Sequence, residues 1–279
     1  MYEHHWRLNR KPFATGVDPE FYFPAPEHQS ALLKLRYLAE HHRGLALVAG
    51  PGGCGKTLVV EVLARSLGEK LKVLHLVFPP TTVEDLLGYV ALRLEQSPSG
   101  QEPQSLAGLL HQVETALHRV HSAGQHVLIV ADEAHLLDDP RMLEALRLLT
   151  NYQAGGEPQV SVILVGREPL LNHIREMPSL EERLAVRCFL NPLDRTQSQQ
   201  YVLSRLKAAG ASEEIFTPEA LSRLYELSGG VPRQINQLCD LAMLVAFADD
   251  QKVILPEHVE SVYGEFVPPR ISAPVGSAA

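Results

Sequence analysis

Gly50-Pro51-Gly52-Gly53-Cys54-Gly55-Lys56-Thr57 is the stretch that decides the fold. It fits the pattern G-x-x-x-x-G-K-[ST] and sits where that pattern has meaning, after a strand and at the start of a helix. The apolar run Leu45–Ala49 precedes it, and Thr57–Leu67 follows with apolar residues at helical intervals. Glycines let consecutive backbone N–H groups converge on phosphate oxygens, and the helix N-terminus adds partial positive charge. Gly50, Pro51, Gly52, Gly53, Cys54, Gly55, Lys56, Thr57 and Leu58 are therefore the candidate nucleotide contacts. Lys56 is expected to reach the β- and γ-phosphates, and the Thr57 hydroxyl to ligate Mg2+. Cys54 reads as a small loop residue rather than a redox switch.

Outward from this loop, Val73–Val77, Val127–Ala131 and Val160–Val165 are short apolar runs that suit buried parallel strands. Thr82–Leu94, Leu106–His121 and Met142–Tyr152 carry helical spacing. The alternation implies right-handed crossovers and a parallel sheet covered on both faces. The expected class is α/β: a parallel-sheet nucleotide-binding domain over 44–192, then a small all-α domain over 193–266. Helices are expected there from Thr196, Thr217, Pro232 and Pro256; Thr217-Pro218-Glu219 places a capping Thr before a first-turn proline. Residues 1–43, a Pro- and aromatic-rich segment and a helix from about Glu27, are expected to pack on the nucleotide domain. Ser97–Gln104 reads as a surface loop and 267–279 as a disordered tail.

The second chemical element is Val127-Leu128-Ile129-Val130-Ala131-Asp132-Glu133-Ala134-His135. An apolar strand delivers two acids at its carboxyl end, the side where ligands bind in open α/β sheets. Asp132 is assigned to the Mg2+ shell and Glu133 to polarising the attacking water. His135 reads as a surface histidine in preference to a group that tunes Glu133.

Composition narrows the alternatives. The 279 residues are 45% hydrophobic and 21% charged, in the range of globular chains. Three cysteines form no disulfide framework or paired metal-ligand spacing, and no apolar run approaches the length of a membrane span. A cytoplasmic protein is expected. The net charge of −8 argues against bulk electrostatic coating of nucleic acid. From Asn191 to Glu265, six basic residues face eleven acidic ones, so DNA reading through the helical domain is disfavoured. Of the thirteen histidines, His111, His118 and His121 lack an acid at ligand spacing. They read as solvated, as do His4-His5 and His41-His42.

The phosphate loop, the Asp-Glu-Ala-His box and the following helical domain together resemble an AAA+ ATPase. More narrowly, the chain resembles the general secretion pathway A (ExeA-like) group, whose relatives include transposition-helper ATPases. Pro12-Phe13, Asp18-Pro19 and the aromatic run to Pro26-Glu27-His28 match that group's N-terminal signature. Ile163-Leu164-Val165-Gly166 with Pro169-Leu170-Leu171 matches its fourth-strand segment, and Leu184 through Arg187 to Leu190-Asn191-Pro192-Leu193 the segment entering the lid. Gly229-Gly230-Val231-Pro232-Arg233-Gln234-Ile235-Asn236 matches the lid motif.

The resemblance implies ATP and Mg2+, a lid, and a nucleotide-dependent homo-oligomer with six subunits as the candidate number. A neighbouring subunit would supply an arginine finger, with Arg183 preferred and Arg187 beside it on a shared helical face at i, i+4. Arg233 is the candidate lid sensor. Arg167 departs from the group, which often has Gln after this Gly; it is assigned as the sensor at the strand end, with an ion pair to Glu168 as the alternative. Members commonly continue into a membrane span and a cell-wall-binding domain, and the stop at Ala279 weakens that role. The expected function is ATP hydrolysis coupled to lid movement, acting on a protein partner in secretion or pilus machinery. The rivals are a DNA-associated helper of a transposase and a nucleotide-gated scaffold.

Overall fold

The structure, a computed structural model, describes residues 1–78, 80–95 and 105–266. The Ser97–Gln104 loop and the 267–279 tail of the sequence reading lie outside them. The chain divides into two compact units, Val17–Asn191 and Met1–Gly16 with Pro192 onward.

The first unit opens with α1 (Pro26–Glu40) and then alternates strands and helices. In order these are β1 (Leu45–Ala49), α2 (Lys56–Leu67), β2 (Leu71–Leu76), α3 (Val83–Leu94), α4 (Leu106–Ser122), β3 (His126–Ala131) and α5 (Pro140–Leu149). A short hairpin, β4 (Gln153–Ala154) and β5 (Glu157–Pro158), precedes β6 (Val160–Gly166), α6 (Pro169–Arg175), α7 (Pro178–Glu181) and β7 (Leu184–Phe189). The five long strands form one parallel sheet in the order β2-β3-β6-β1-β7.

Side chains alternate across this sheet, and both sets are buried. Leu45, Leu47, Val127, Ile129, Val162 and Leu164 pack with α3, α4 and α5 on one face. Ala46, Val48, Leu128, Val130, Ile163 and Val165 pack with α1 and α2 on the other. Burial on both faces explains the unbroken apolar runs, and each fully buried Leu or Ile contributes about 1.5–3 kcal/mol.

Two expectations about elements are corrected. The helix expected to reach Tyr152 stops at Leu149, because Gly155 and Gly156, both at positive φ, turn the chain into the β4–β5 hairpin. The larger correction is β7. Arg183 and Arg187 do not share a helical face: Arg187 lies within a strand and Arg183 in the turn before it. Val186, Cys188 and Leu190 enter the core while Ala185, Arg187 and Phe189 face outward, a period of two.

The second unit is helical: α8 (Arg195–Ala208), α9 (Pro218–Ser228), α10 (Pro232–Ala248) and α11 (Pro256–Phe266). Asp194 and Gln197 close a capping box on α8, and Thr217 caps α9. Met1–Gly16 belongs to this unit, which corrects the reading that all of 1–43 packs on the nucleotide domain. The reason is specific bonding. The Asn9 N–H donates to the Ala209 carbonyl at 2.8 Å and Arg205 Nε to the Pro12 carbonyl at 2.6 Å. Phe13 sits edge-on to Phe216, and Trp6 donates to the Met243 carbonyl.

One histidine of each adjacent pair is less solvated than expected, while His4 and His41 are exposed. His42 stacks on buried His126 at 4.1 Å, and His5 packs against Trp6 and Phe247.

The first residue after β1 carries a sharp steric demand. A Cβ on Gly50 would lie 2.1 Å from the Leu190 carbonyl oxygen, a backbone atom that cannot swing away. Gly50→Ala is expected to destabilise the nucleotide unit by about 1–3 kcal/mol or more. Gly88→Ala, inside α3 where the nearest atom is a leucine methyl at 3.8 Å, is expected to stabilise it by up to about 1 kcal/mol. Thermal melts of the two variants check both signs.

Candidate functional site

The site is built at the carboxyl ends of three neighbouring strands. Ala49 of β1 is level with Gly166 of β6, and Leu164 of β6 with Ala131 of β3. The residues that follow these ends, Gly50, Arg167 and Asp132, are therefore neighbours by register. Gly166 also admits the turn after β3: a Cβ there would meet Leu170 Cδ2 at 2.7 Å and the His135 backbone nitrogen at 3.3 Å.

The Gly50–Thr57 loop wraps the N-terminus of α2. Its Gly55 has φ +85°, a conformation suited to glycine, and a Cβ there would lie 3.2 Å from His28 Nε2. Lys56 is buried and its ammonium donates to the carbonyls of Gly50 and Pro51 at 2.9 and 2.8 Å. Burial lowers the Lys56 pKa, opposed by the charges of Glu133 and Asp132 and aided by that of Arg167. Cys54 is fully buried and burial pushes its thiol pKa up, opposite to what a reactive thiolate needs.

Asp132 is held from two sides. The Thr57 hydroxyl donates to its Oδ2 at 2.7 Å, and the Glu133 N–H to its Oδ1 at 2.8 Å. A hydroxyl and a carboxylate at hydrogen-bond distance are hard oxygen donors of the kind Mg2+ takes, so this donor set fits the ion. Glu133 adopts φ +49°, ψ +36°, a left-handed conformation that costs a non-glycine residue about 1–3 kcal/mol.

Two expectations change in this site. His135 is not a surface histidine: its Nδ1 lies 3.3 Å from Glu133 Oε2 and its side chain is 12% exposed. Arg167 pairs with Glu133, at 3.9 Å, rather than with Glu168, and its guanidinium lies against the loop at Gly52. Arg183 and Arg187 are not brought to the loop. Leu184 is level with Leu45, so Arg183 lies beyond the amino end of β1, one strand length (about 16 Å) from the phosphate loop. Arg187 is engaged with Glu181 at 3.1 Å, whereas exposed Arg183 has no ion pair among the described residues. Arg233 is exposed in the first turn of α10, in the helical unit.

The sequence reading gave no role to two residues that brace the site. His28, on α1, is buried and its Nε2 meets the Cys54 carbonyl at 2.9 Å. Burial lowers its pKa, so the ring is neutral at pH 7 and Nε2 carries the donated proton. Glu27 accepts from the backbone N–H and side-chain amide of Asn191, at 2.8 and 3.0 Å. The available signal was His28 on the same helical stripe as Ala31, Leu35 and Leu38, a polar residue on a buried face.

A family model described as "AAA domain" matches residues 39–174. General secretion pathway protein A of Aeromonas hydrophila is 34% identical over 251 residues, covering 89% of this chain and 45% of that protein. The chain therefore spans less than half the length of that relative. Among solved structures, the ORC2 protein of Aeropyrum pernix, in ADPNP-ADP complexes, aligns with a TM-score of 0.73 at 14% identity. That alignment covers 92% of this chain and 72% of the other. CDC6P of Pyrobaculum aerophilum aligns with a TM-score of 0.72 at 19% identity, covering 91% and 72%. Both are likenesses of fold. The chain thus has the fold of AAA+ P-loop proteins, matches an AAA domain over residues 39–174, and is similar over 89% of its length to general secretion pathway protein A.

Proposed function

We propose that this chain binds ATP with Mg2+, hydrolyses it within a homo-oligomer, and uses the nucleotide cycle to act on a protein partner. The observation that carries this reading is the Thr57–Asp132 hydrogen bond beside Glu133 and Lys56 at the carboxyl ends of the interior strands. The loop N–H groups and Lys56 would hold the phosphates, while Thr57 and Asp132 would hold the ion. When bound, Mg2+ neutralises charge on the transferring phosphoryl group. Glu133 orients water and takes its proton, with His135 Nδ1 3.3 Å from its Oε2.

Arg183, too far from its own loop and free of acid partners among the described residues, is the finger for a neighbouring subunit. Such a group is worth roughly 10³–10⁵ in rate. Arg233 couples the helical unit to nucleotide state. The 34% identity with a secretion-pathway protein supports a protein partner in that kind of machinery.

Glu133→Gln is expected to keep ATP binding and lose turnover; turnover at the parental rate contradicts the assigned base. In the same phosphate-release assay, added DNA is expected to leave the parental rate unchanged. DNA stimulation with steep salt dependence favours the DNA-helper reading instead. Mixing Arg183→Ala chains with Lys56→Ala chains, each inactive alone, is expected to restore part of the activity. Assembly of the mixture without recovery removes Arg183 as a shared group.

A further inference from the structure

The one hydrogen bond that the buried His28 ring makes among the described residues goes to the phosphate loop, from Nε2 to the Cys54 carbonyl at 2.9 Å. A carbonyl only accepts, so the proton sits on Nε2. Nδ1 is buried as well and has no hydrogen-bond partner among the described residues. The carbonyl held in this way belongs to the peptide unit that carries the Gly55 N–H. No peptide bond among the described residues is cis, and in a planar trans unit C=O and N–H point in opposite directions. A Cys54 carbonyl fixed toward α1 therefore turns the Gly55 N–H away from α1. That N–H donates to no group among the described residues.

Glycine at position 55 makes this control necessary. It lies at φ +85° and, lacking a Cβ, can adopt either sign of φ, so the 54–55 peptide is free to rotate by half a turn. One orientation shows phosphate an N–H and the other a carbonyl oxygen. The same glycine lets the ring come close, since a Cβ there would stand 3.2 Å from His28 Nε2. The ring enters from a fixed point, because Glu27 beside it holds the backbone and side-chain amides of Asn191.

We propose that His28 is a positioning residue of the phosphate site: by holding the Cys54 carbonyl, it aims the Gly55 N–H at a phosphate oxygen of the bound nucleotide. This rests on the ATP reading above. The attractive orientation is set before the ligand arrives, so binding does not have to order that peptide.

Cys54-Gly55 is the only Cys-Gly pair in the sequence. Labelling cysteine carbonyls with 13C and glycine nitrogens with 15N therefore singles out this one peptide for NMR. In the parent, ADP with Mg2+ is expected to move the Gly55 amide proton downfield as its bond to phosphate forms. His28→Leu keeps the bulk but removes the donor. It is expected to weaken ADP about five- to fiftyfold in calorimetry and to lose the downfield shift. His28→Gln, whose amide NH2 can replace the Nε2 donor, is expected to recover most of the affinity and the shift. Parental ADP affinity in His28→Leu overturns the proposal. So does equal weakening of both variants with the shift retained, the result of a ring that only packs. A Gly55 amide in the parent that does not respond to bound ADP overturns it whether or not the variants fold. A parent protein that binds neither ADP nor the non-hydrolysable triphosphate ADPNP overturns the ATP reading itself.

Discussion

The 2.7 Å hydrogen bond from Thr57 Oγ1 to Asp132 Oδ2 is the contact on which the site depends. It joins the first turn of α2, the helix that follows β1, to the residue after β3, and β6 separates those two strands in the sheet. Because Asp132 Oδ1 accepts the next N–H, the same carboxylate closes the turn that sets Glu133 in a left-handed conformation. That turn is held further by the Leu136 N–H, which donates to the Glu133 carbonyl at 2.8 Å. A strained residue persists where its surroundings over-determine it, and here both neighbouring peptide groups are fixed. The outcome is a carboxylate aimed between His135 and Arg167 at the mouth of the phosphate loop.

The loop has its own support, independent of the acids. His28 reaches from α1 to the Cys54 carbonyl, and Glu27, one residue earlier, holds both amide groups of Asn191. One turn of α1 therefore fixes the phosphate loop and the last residue of the nucleotide unit together. This gives a physical reason for the Pro26-Glu27-His28 stretch to resemble a family signature. Gly50 completes the arrangement, since the Leu190 carbonyl occupies the space a side chain would need.

The phosphate loop, the acids and four of the five long strands were legible because each has a local cause. A strand buried on both faces must be a continuous apolar run, and Gly55-Lys56-Thr57 has meaning only between strand and helix. The fifth strand was not legible in the same way. Only one of its faces enters the core, and its arginine lies four residues after Arg183, which imitates a helical face. The alternation Leu184, Val186, Cys188, Leu190 was the signal that outweighs it. The partners of Glu133 were hidden for a different reason. His135 is near in sequence, but its direction is set by the left-handed turn. Arg167 arrives from another strand by register, a long-range fact that no local pattern encodes. The attachment of Met1–Gly16 to the helical unit is long-range in the same sense, resting on bonds such as Asn9 to Ala209.

In the proposed mechanism Thr57 and Asp132 together make a metal-assisted phosphate site. Calorimetric titration with ADPNP, in Mg2+ and in a metal-free chelating buffer, tests it most directly on the parent chain and on Thr57→Ala. Tight binding to the parent only with Mg2+, and loss of that Mg2+-dependent gain in Thr57→Ala, are the expected results. Equal affinity of the parent with and without Mg2+, or an undiminished Mg2+ effect in Thr57→Ala, would contradict it.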